Sequence, residues 1–251
     1  MFPLIYKSDI LHLKNKVIYE YDIQSGGYNV SKAEGLLDDE LQERLDKADK
    51  KRKQIILGLH ARDDKSFTKK LHAGFQKYVN LFIDENDINK DKVIAINKDS
   101  VLFYDCIIKY NKFSNVELTC RGRFSSYLKL GNLQFFYNGS DRTKLVKGIT
   151  LEDYSNTLIE EVFTVMALSE STDIRTVRRH LYDVRQKYVN KVLSNSYYME
   201  LGSMQGYKIN TSIAGMSFYT SDLEEVEEFF DLVDITYNYK NIIIPLCNIF
   251  T

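Results

Sequence analysis

Val93-Ile94-Ala95-Ile96-Asn97-Lys98-Asp99-Ser100-Val101-Leu102-Phe103-Tyr104 is a pair of apolar runs around a polar four-residue tip, the pattern of a β-hairpin. It sets Asp99 at the turn. Upstream, residues 66–86 place Phe67, Leu71, Phe75, Tyr78, Val79 and Phe82 at the spacing of an amphipathic helix that packs on a sheet, with Ser66 as its cap. Residues 38–56 hold Leu41, Leu45, Ala48 and Ile55 near helical spacing among many charges, which predicts one solvent-facing helix entered at Asp38 or Asp39. Further back, Val17, Ile18, Tyr19 and Tyr21 predict a strand that ends near Asp22, before the Gly26-Gly27 pair.

Downstream of the hairpin, residues 116–119, 126–130 and 133–137 read as short strands, the last two joined across Gly131-Asn132. This is an antiparallel meander. After Lys147-Gly148-Ile149 the character changes: residues 151–192 predict two helices separated by 169–173. A polar, glycine-containing stretch at 202–215, an acidic helix at 222–232 and a final apolar strand at 242–246 follow. The class expected is α+β, with an antiparallel sheet packed by helices in residues 1–150 and a mainly helical region with a terminal strand in residues 151–251.

At 251 residues the chain can bury a substantial core, and 44% hydrophobic with 27% charged residues excludes a mostly disordered chain. The 34 basic and 35 acidic side chains nearly cancel, so any site for a polyanion has to be local. Three widely spaced cysteines, Cys106, Cys120 and Cys247, form neither a disulfide framework nor a zinc motif and fit a reducing compartment. Lys7, Ser8 and Asp9 interrupt the N-terminus where a secretion signal needs an apolar stretch, and no apolar run is long enough to span a bilayer. The expected location is cytoplasmic. Two prolines, no tryptophan and many Asn, Lys, Ile and Tyr residues point to an AT-rich coding source, such as a phage infecting a low-GC bacterium.

The chemistry-bearing residues are Asp22 at a strand end and Asp99 in the hairpin. Tyr21-Asp22-Ile23-Gln24-Ser25 resembles the first palm motif of family B DNA polymerases, an aspartate at a strand end with a serine three residues later. Lys98-Asp99-Ser100-Val101 resembles the second, an aspartate and serine in a hairpin before an apolar strand. The resemblance implies a palm-like sheet on which Asp22 and Asp99 bind Mg2+ or Mn2+ for two-metal nucleotidyl transfer. In the family's order, Tyr127 resembles the tyrosine that supports a primer end, with Lys129 close by, and Lys147-Gly148 resembles the step from palm to thumb. Lys70 and Tyr78 resemble the fingers pair, which with Ser25 implies a nucleotide site. Residues 151–193 would then be a helical thumb.

The pattern departs from the family in four respects. Lys98 stands where a second hairpin aspartate is usual, Gly27 replaces the tyrosine that screens the sugar, Ser125-Ser126 replaces a basic pair, and no exonuclease region is present. Arg175, Arg178, Arg179, Arg185, Lys187 and Lys191, with Tyr182 and Tyr188 interleaved, suit a helix lying along a phosphate backbone; an exposed helix with Asp183 as an ion-pair partner explains them as well. The four histidines show no metal spacing, and no nucleophile motif occurs.

Two functions follow. One is a minimal or subunit-type polymerase acting on a primer-template or single strand, with a partner chain to complete its small fingers and thumb. The other is a palm that has lost catalysis and binds protein or nucleic acid as a phage accessory or host-directed factor. An aspartate after a strand also commonly serves as a turn or cap residue, which leaves an unrelated binding module as a third reading.

Overall fold

A computed structural model describes residues 1–148, 156–190, 192–193, 209–210, 217–218 and 239–250. The class is α+β, and the chain divides into two compact units: Met1–Ile10 with Lys16–Ser125, and Leu11–Asn15 with Ser126–Thr251. The change of character expected near Thr150 lies outside the described residues, as do the acidic stretch at 222–232 and most of 202–215.

In the first unit a six-stranded sheet runs in the order β1-β4-β5-β3-β7-β6, and every pairing is antiparallel. Its strands are β1 (Ile5–Lys7), β3 (Ile18–Ile23), β4 (Val93–Asn97), β5 (Ser100–Tyr104), β6 (Lys112–Phe113) and β7 (Val116–Phe124). The hairpin forms as its apolar runs require, with Lys98 in the left-handed region at φ 56° and Asn97 paired with Ser100. Between β3 and β4 the chain makes four α-helices, α1 (Gly26–Ala33), α2 (Asp39–Asp46), α3 (Lys50–Asp63) and α4 (Lys65–Glu85), and a short 3-10 turn, Lys90–Lys92. Phe75, Tyr78, Val79, Phe82 and Ile83 of α4 pack with Ile23, Val93, Ile96, Val101 and Phe103 of the sheet, and Phe82 lies 5.1 Å from the Tyr21 ring. Gly74 lets α4 approach α1, since a Cβ there would meet Val30 Cγ1 at 2.5 Å.

The single helix expected over 38–56 is two. Asp49 accepts a 2.8 Å hydrogen bond from the Arg52 amide and starts a new helix after the first has ended at Asp46. The cap of α4 is likewise Asp64, which accepts from the Ser66 amide, rather than Ser66 itself.

In the second unit β10 (Thr143–Lys147), β9 (Leu133–Asn138), β8 (Ser126–Leu130) and β2 (His12–Leu13) form a four-stranded antiparallel sheet in that order. Its apolar face, with Leu128, Leu130, Leu133 and Phe135, is covered by Leu158, Val162, Phe163 and Met166 of α5 (Asn156–Ser171). Val177, Leu181, Val184 and Tyr188 of α6 (Ile174–Val189) belong to the same core. The terminal strand expected at 242–246 is helical instead, a π-helical turn Tyr239–Ile243 running into an α-helix Ile244–Phe250. A short continuous apolar run has no period that separates a buried strand from a buried helix. Here Ile242, Leu246 and Phe250 share one buried face, and Pro245, which has no N–H to donate, sits where the π-helical turn passes into the α-helix. No described helix is long and apolar enough to cross a membrane.

Candidate acidic site on the first sheet

Tyr19, Tyr21 and Ile23 pack against the α4 side of the sheet, so strand alternation turns Glu20 and Asp22 to the opposite face. Asp22 is paired with Ser100 on β5, and the Ile23 amide donates to the Asp99 carbonyl at 2.9 Å. Two residues 77 positions apart, by subtraction of their numbers, thus meet at one end of neighbouring central strands. The start of α1 also reaches this point. A Cβ on Gly26 would lie 3.1 Å from Asp99 Oδ2 and 3.2 Å from Phe75 Cε1, so a glycine there gives the helix its close approach.

Burial raises the pKa of both carboxyls, and the Asp99 charge raises that of Asp22 further. Arg121 opposes this, with Nε 3.3 Å from Asp22 Oδ2, and its charge also acts on Asp99, as does that of Lys98. The net direction remains upward at both aspartates, so the cations nearby do not offset the cost of the negative charge.

Among the described residues no group of three or more His, Cys, Asp or Glu side chains is placed to hold a metal ion. Asp22 and Asp99 therefore do not make a closed structural cage.

The other residues singled out in the first unit are placed less suggestively. Ser25 precedes α1 in the left-handed region at φ 48°; its side chain makes no capping bond, while its carbonyl accepts from the amides of Tyr28 and Asn29 at 3.0 Å each. Lys70 is exposed on α4. Tyr78 is not a free stacking surface, being 5% exposed with its hydroxyl hydrogen-bonded to Glu34, whose Oε1 also accepts from Lys77 Nζ at 2.8 Å.

In the second unit Tyr127 is 1% exposed, 5.3 Å from the Phe136 ring, and burial pushes its pKa up to about 12. It is a core residue of β8 rather than a surface contact. Lys129 is half-buried on the same strand, and the Lys147 ammonium lies 5.5 Å from the Phe136 ring. Arg178 and Arg179 are exposed on α6, where they line a groove of about 360 Å³ with Leu181, Tyr182, Arg185, Cys247 and Phe250. Arg178 Nε donates to the Phe250 carbonyl at 2.7 Å, and Asp183 pairs with Lys187 at 2.7 Å.

The residue that sequence reading did not assign to the acidic site is Arg121. The strand expected over 116–119 runs on to Phe124, and Gly122 within the added length is a common mark of a bulge. The β3–β7 register does shift there, Glu20 pairing with Gly122 and Tyr21 with Cys120, so that Arg121 is the extra residue.

No curated protein matches the chain. The family model described as Bacteriophage PBS1 gene 130 protein matches residues 5–250, and the chain belongs to that phage protein family.

Proposed function

We propose that the chain carries out template-directed nucleotidyl transfer, as a minimal or subunit-type nucleic-acid polymerase, at Asp22 and Asp99. The observation that carries this reading is the backbone adjacency of Asp22 and Asp99 at one end of antiparallel strands, both half-buried with carboxyls raised by burial, and with helices α1 to α4 inserted between them in the chain. A divalent cation would complete the neutralisation that Arg121 and Lys98 leave unfinished. Bound Mg2+ or Mn2+ would supply a Lewis acid for the attacking and leaving oxygens. In the reaction, the 3′-hydroxyl oxygen bonds to the α-phosphorus, the bond to the bridging oxygen breaks, pyrophosphate leaves and the hydroxyl proton passes to solvent. Asp22 and Asp99 hold the charge balance at that centre. Lys70, exposed on α4, is the candidate contact for nucleotide phosphates, with Ser25 at the head of α1. Tyr78 and Tyr127, both buried, support the packing of their own units and take no part.

Exposed Arg178 and Arg179 on α6 are the candidate contacts for the strand or duplex. Primer extension with purified protein, Mg2+ or Mn2+ and all nucleotides, beside Asp99→Asn, tests the reading. Extension by the wild type that is lost in the variant supports it.

The second reading, a palm-derived protein without catalysis that binds nucleic acid or a protein partner in the infected host, is favoured by one specific contact. Arg121 already pairs with Asp22, where the palm resemblance implies a metal. Duplex binding without extension in any metal would select it.

A further inference from the structure

The groove of about 360 Å³ beside α6 lies wholly within the second unit, and its lining is of two kinds. Leu181 and Phe250, both buried, and half-buried Cys247 make it apolar, while three arginines and an exposed tyrosine line it as well. Tyr182 follows Arg178 by four residues and precedes Arg185 by three, so cation, ring and cation stand in one row along the helix. The ring is 65% exposed. Arg178 is fixed at the groove by the bond from its Nε to the Phe250 carbonyl, and exposed Arg179 adds a third cation. Burial raises the pKa of the Cys247 thiol and the charge of Arg185 opposes that, which sets this guanidinium near the apolar lining. Among the described residues no carboxylate lines the groove. The two on α6 and at its head are engaged elsewhere, Asp173 accepting from the Thr176 amide at 2.8 Å and Asp183 pairing with Lys187.

An occupant of this groove has to bring negative charge for the guanidiniums and a flat, largely apolar body for the space beside the ring. A nucleotide unit brings both, its phosphate to the arginines and its base to Tyr182. The volume lies at the small end of the range for ligand sites, about 300–1,000 Å³, which suits one nucleotide. A base inside a duplex is stacked and paired, and it reaches such a groove only by leaving the helix. We propose that the α6 groove binds single-stranded nucleic acid by taking in one unpaired base, stacked on Tyr182, with Arg178, Arg179 and Arg185 on the flanking phosphates. The inference rests on reading Arg178 and Arg179 as strand contacts, and it adds that the strand is unpaired and that Tyr182 selects it. An acidic peptide also meets the charge. Nucleic acid is favoured because every unit of it carries both a ring and an anion, as the row of cation, ring and cation requires.

Fluorescence anisotropy with the full chain at one fixed salt concentration tests this without any need for turnover. The probes are a labelled oligothymidine, the same strand annealed to oligoadenosine, and a labelled glutamate-rich peptide carrying phenylalanines. Wild type is compared with Tyr182→Ala, Tyr182→Phe and Arg179→Gln, each checked by circular dichroism. The expected result is tighter binding of the single strand than of the duplex, weakened roughly tenfold by Tyr182→Ala and kept by Tyr182→Phe, the size of effect that loss of one stacked base produces. Arg179→Gln should weaken single strand and duplex alike and make binding less sensitive to salt. Equal binding of the two forms, or a single strand indifferent to Tyr182→Ala, overturns the inference and leaves the arginines standing as strand contacts. Binding of neither form, or binding indifferent to Arg179→Gln and Tyr182→Ala together, overturns that reading as well. Tyr182-dependent binding of the peptide in preference to the single strand overturns the inference and gives the groove to a protein partner.

Discussion

The two units treat buried negative charge in opposite ways. In the second, the Glu161 carboxylate, 9% exposed, is met directly by His180 across the α5–α6 contact, and the carboxylate in turn raises the pKa of His180. In the first, Asp22 and Asp99 come to the same end of neighbouring strands, and neither Arg121 nor Lys98 returns their carboxyls to ordinary values. Stability is served by the first arrangement and opposed by the second. Carboxyls with raised values brought to one end of the two central strands are common at functional sites.

Variants can break or sharpen this contrast. The largest effect is expected at His180→Ala, which withdraws a direct partner from a buried carboxylate and should cost about 2 kcal/mol in urea denaturation at pH 6. A change within error would mean that Glu161 does not depend on it. Next, Asp99→Asn should stabilise the protein at pH 7 by about 1 kcal/mol, because it removes a carboxylate whose burial the nearby cations do not offset, and Asp22→Asn should gain less because it also loses Arg121. Destabilisation by Asp99→Asn would remove the basis of the contrast.

The pH dependence carries the same information with definite signs. Asp22, Asp99 and His180 all have raised folded values, so their contributions are fully present below the unfolded pKa and are lost as pH rises through the folded one. For the aspartates that loss begins above the ordinary aspartate value of 3.8, and for His180 above the ordinary 6.5. His12 runs the other way. Burial lowers it to about 4, and its ring lies 4.7 Å from that of Phe250, so its contribution is present above 6.5 and lost as pH falls toward 4. Replacing it in His12→Phe should flatten the stability profile between pH 6.5 and 4, and an unchanged profile would contradict the assignment. The smallest effect is expected at Lys187→Ala, whose exposed pairing with Asp183 is worth no more than about 0.5 kcal/mol.

Much of the first sheet was readable because its signals are local. The apolar runs on either side of Asn97 to Ser100 form the hairpin, and alternation along residues 18–23 decides which face Asp22 takes. Asp49 and Asp64 were not recognised as caps, because a charged residue between two helical stretches looks the same whether it caps a break or faces solvent in one long helix. Residues 242–246 lacked any period to decide between strand and helix. Tyr78 and Tyr127 were read for their family positions, whereas an aromatic at helix or strand spacing is first of all a core residue, and both are buried. Arg121 could not be read at all from neighbours in sequence. Its position depends on the register between β3 and β7, strands about 100 residues apart, and on a ring packed under Gly122.

The central claim is that Asp22 and Asp99 together form the chain's divalent-ion site, and it is tested most directly by amide NMR with substoichiometric Mn2+. Residues 222–234 supply a natural rival, since they hold Asp222, Glu224, Glu225, Glu227, Glu228, Asp231 and Asp234. The account predicts that resonances at Asp22, Ile23, Lys98 and Asp99 broaden first and that Asp99→Asn abolishes the effect. Broadening confined to residues 222–234, with the hairpin and the end of β3 untouched, would contradict it.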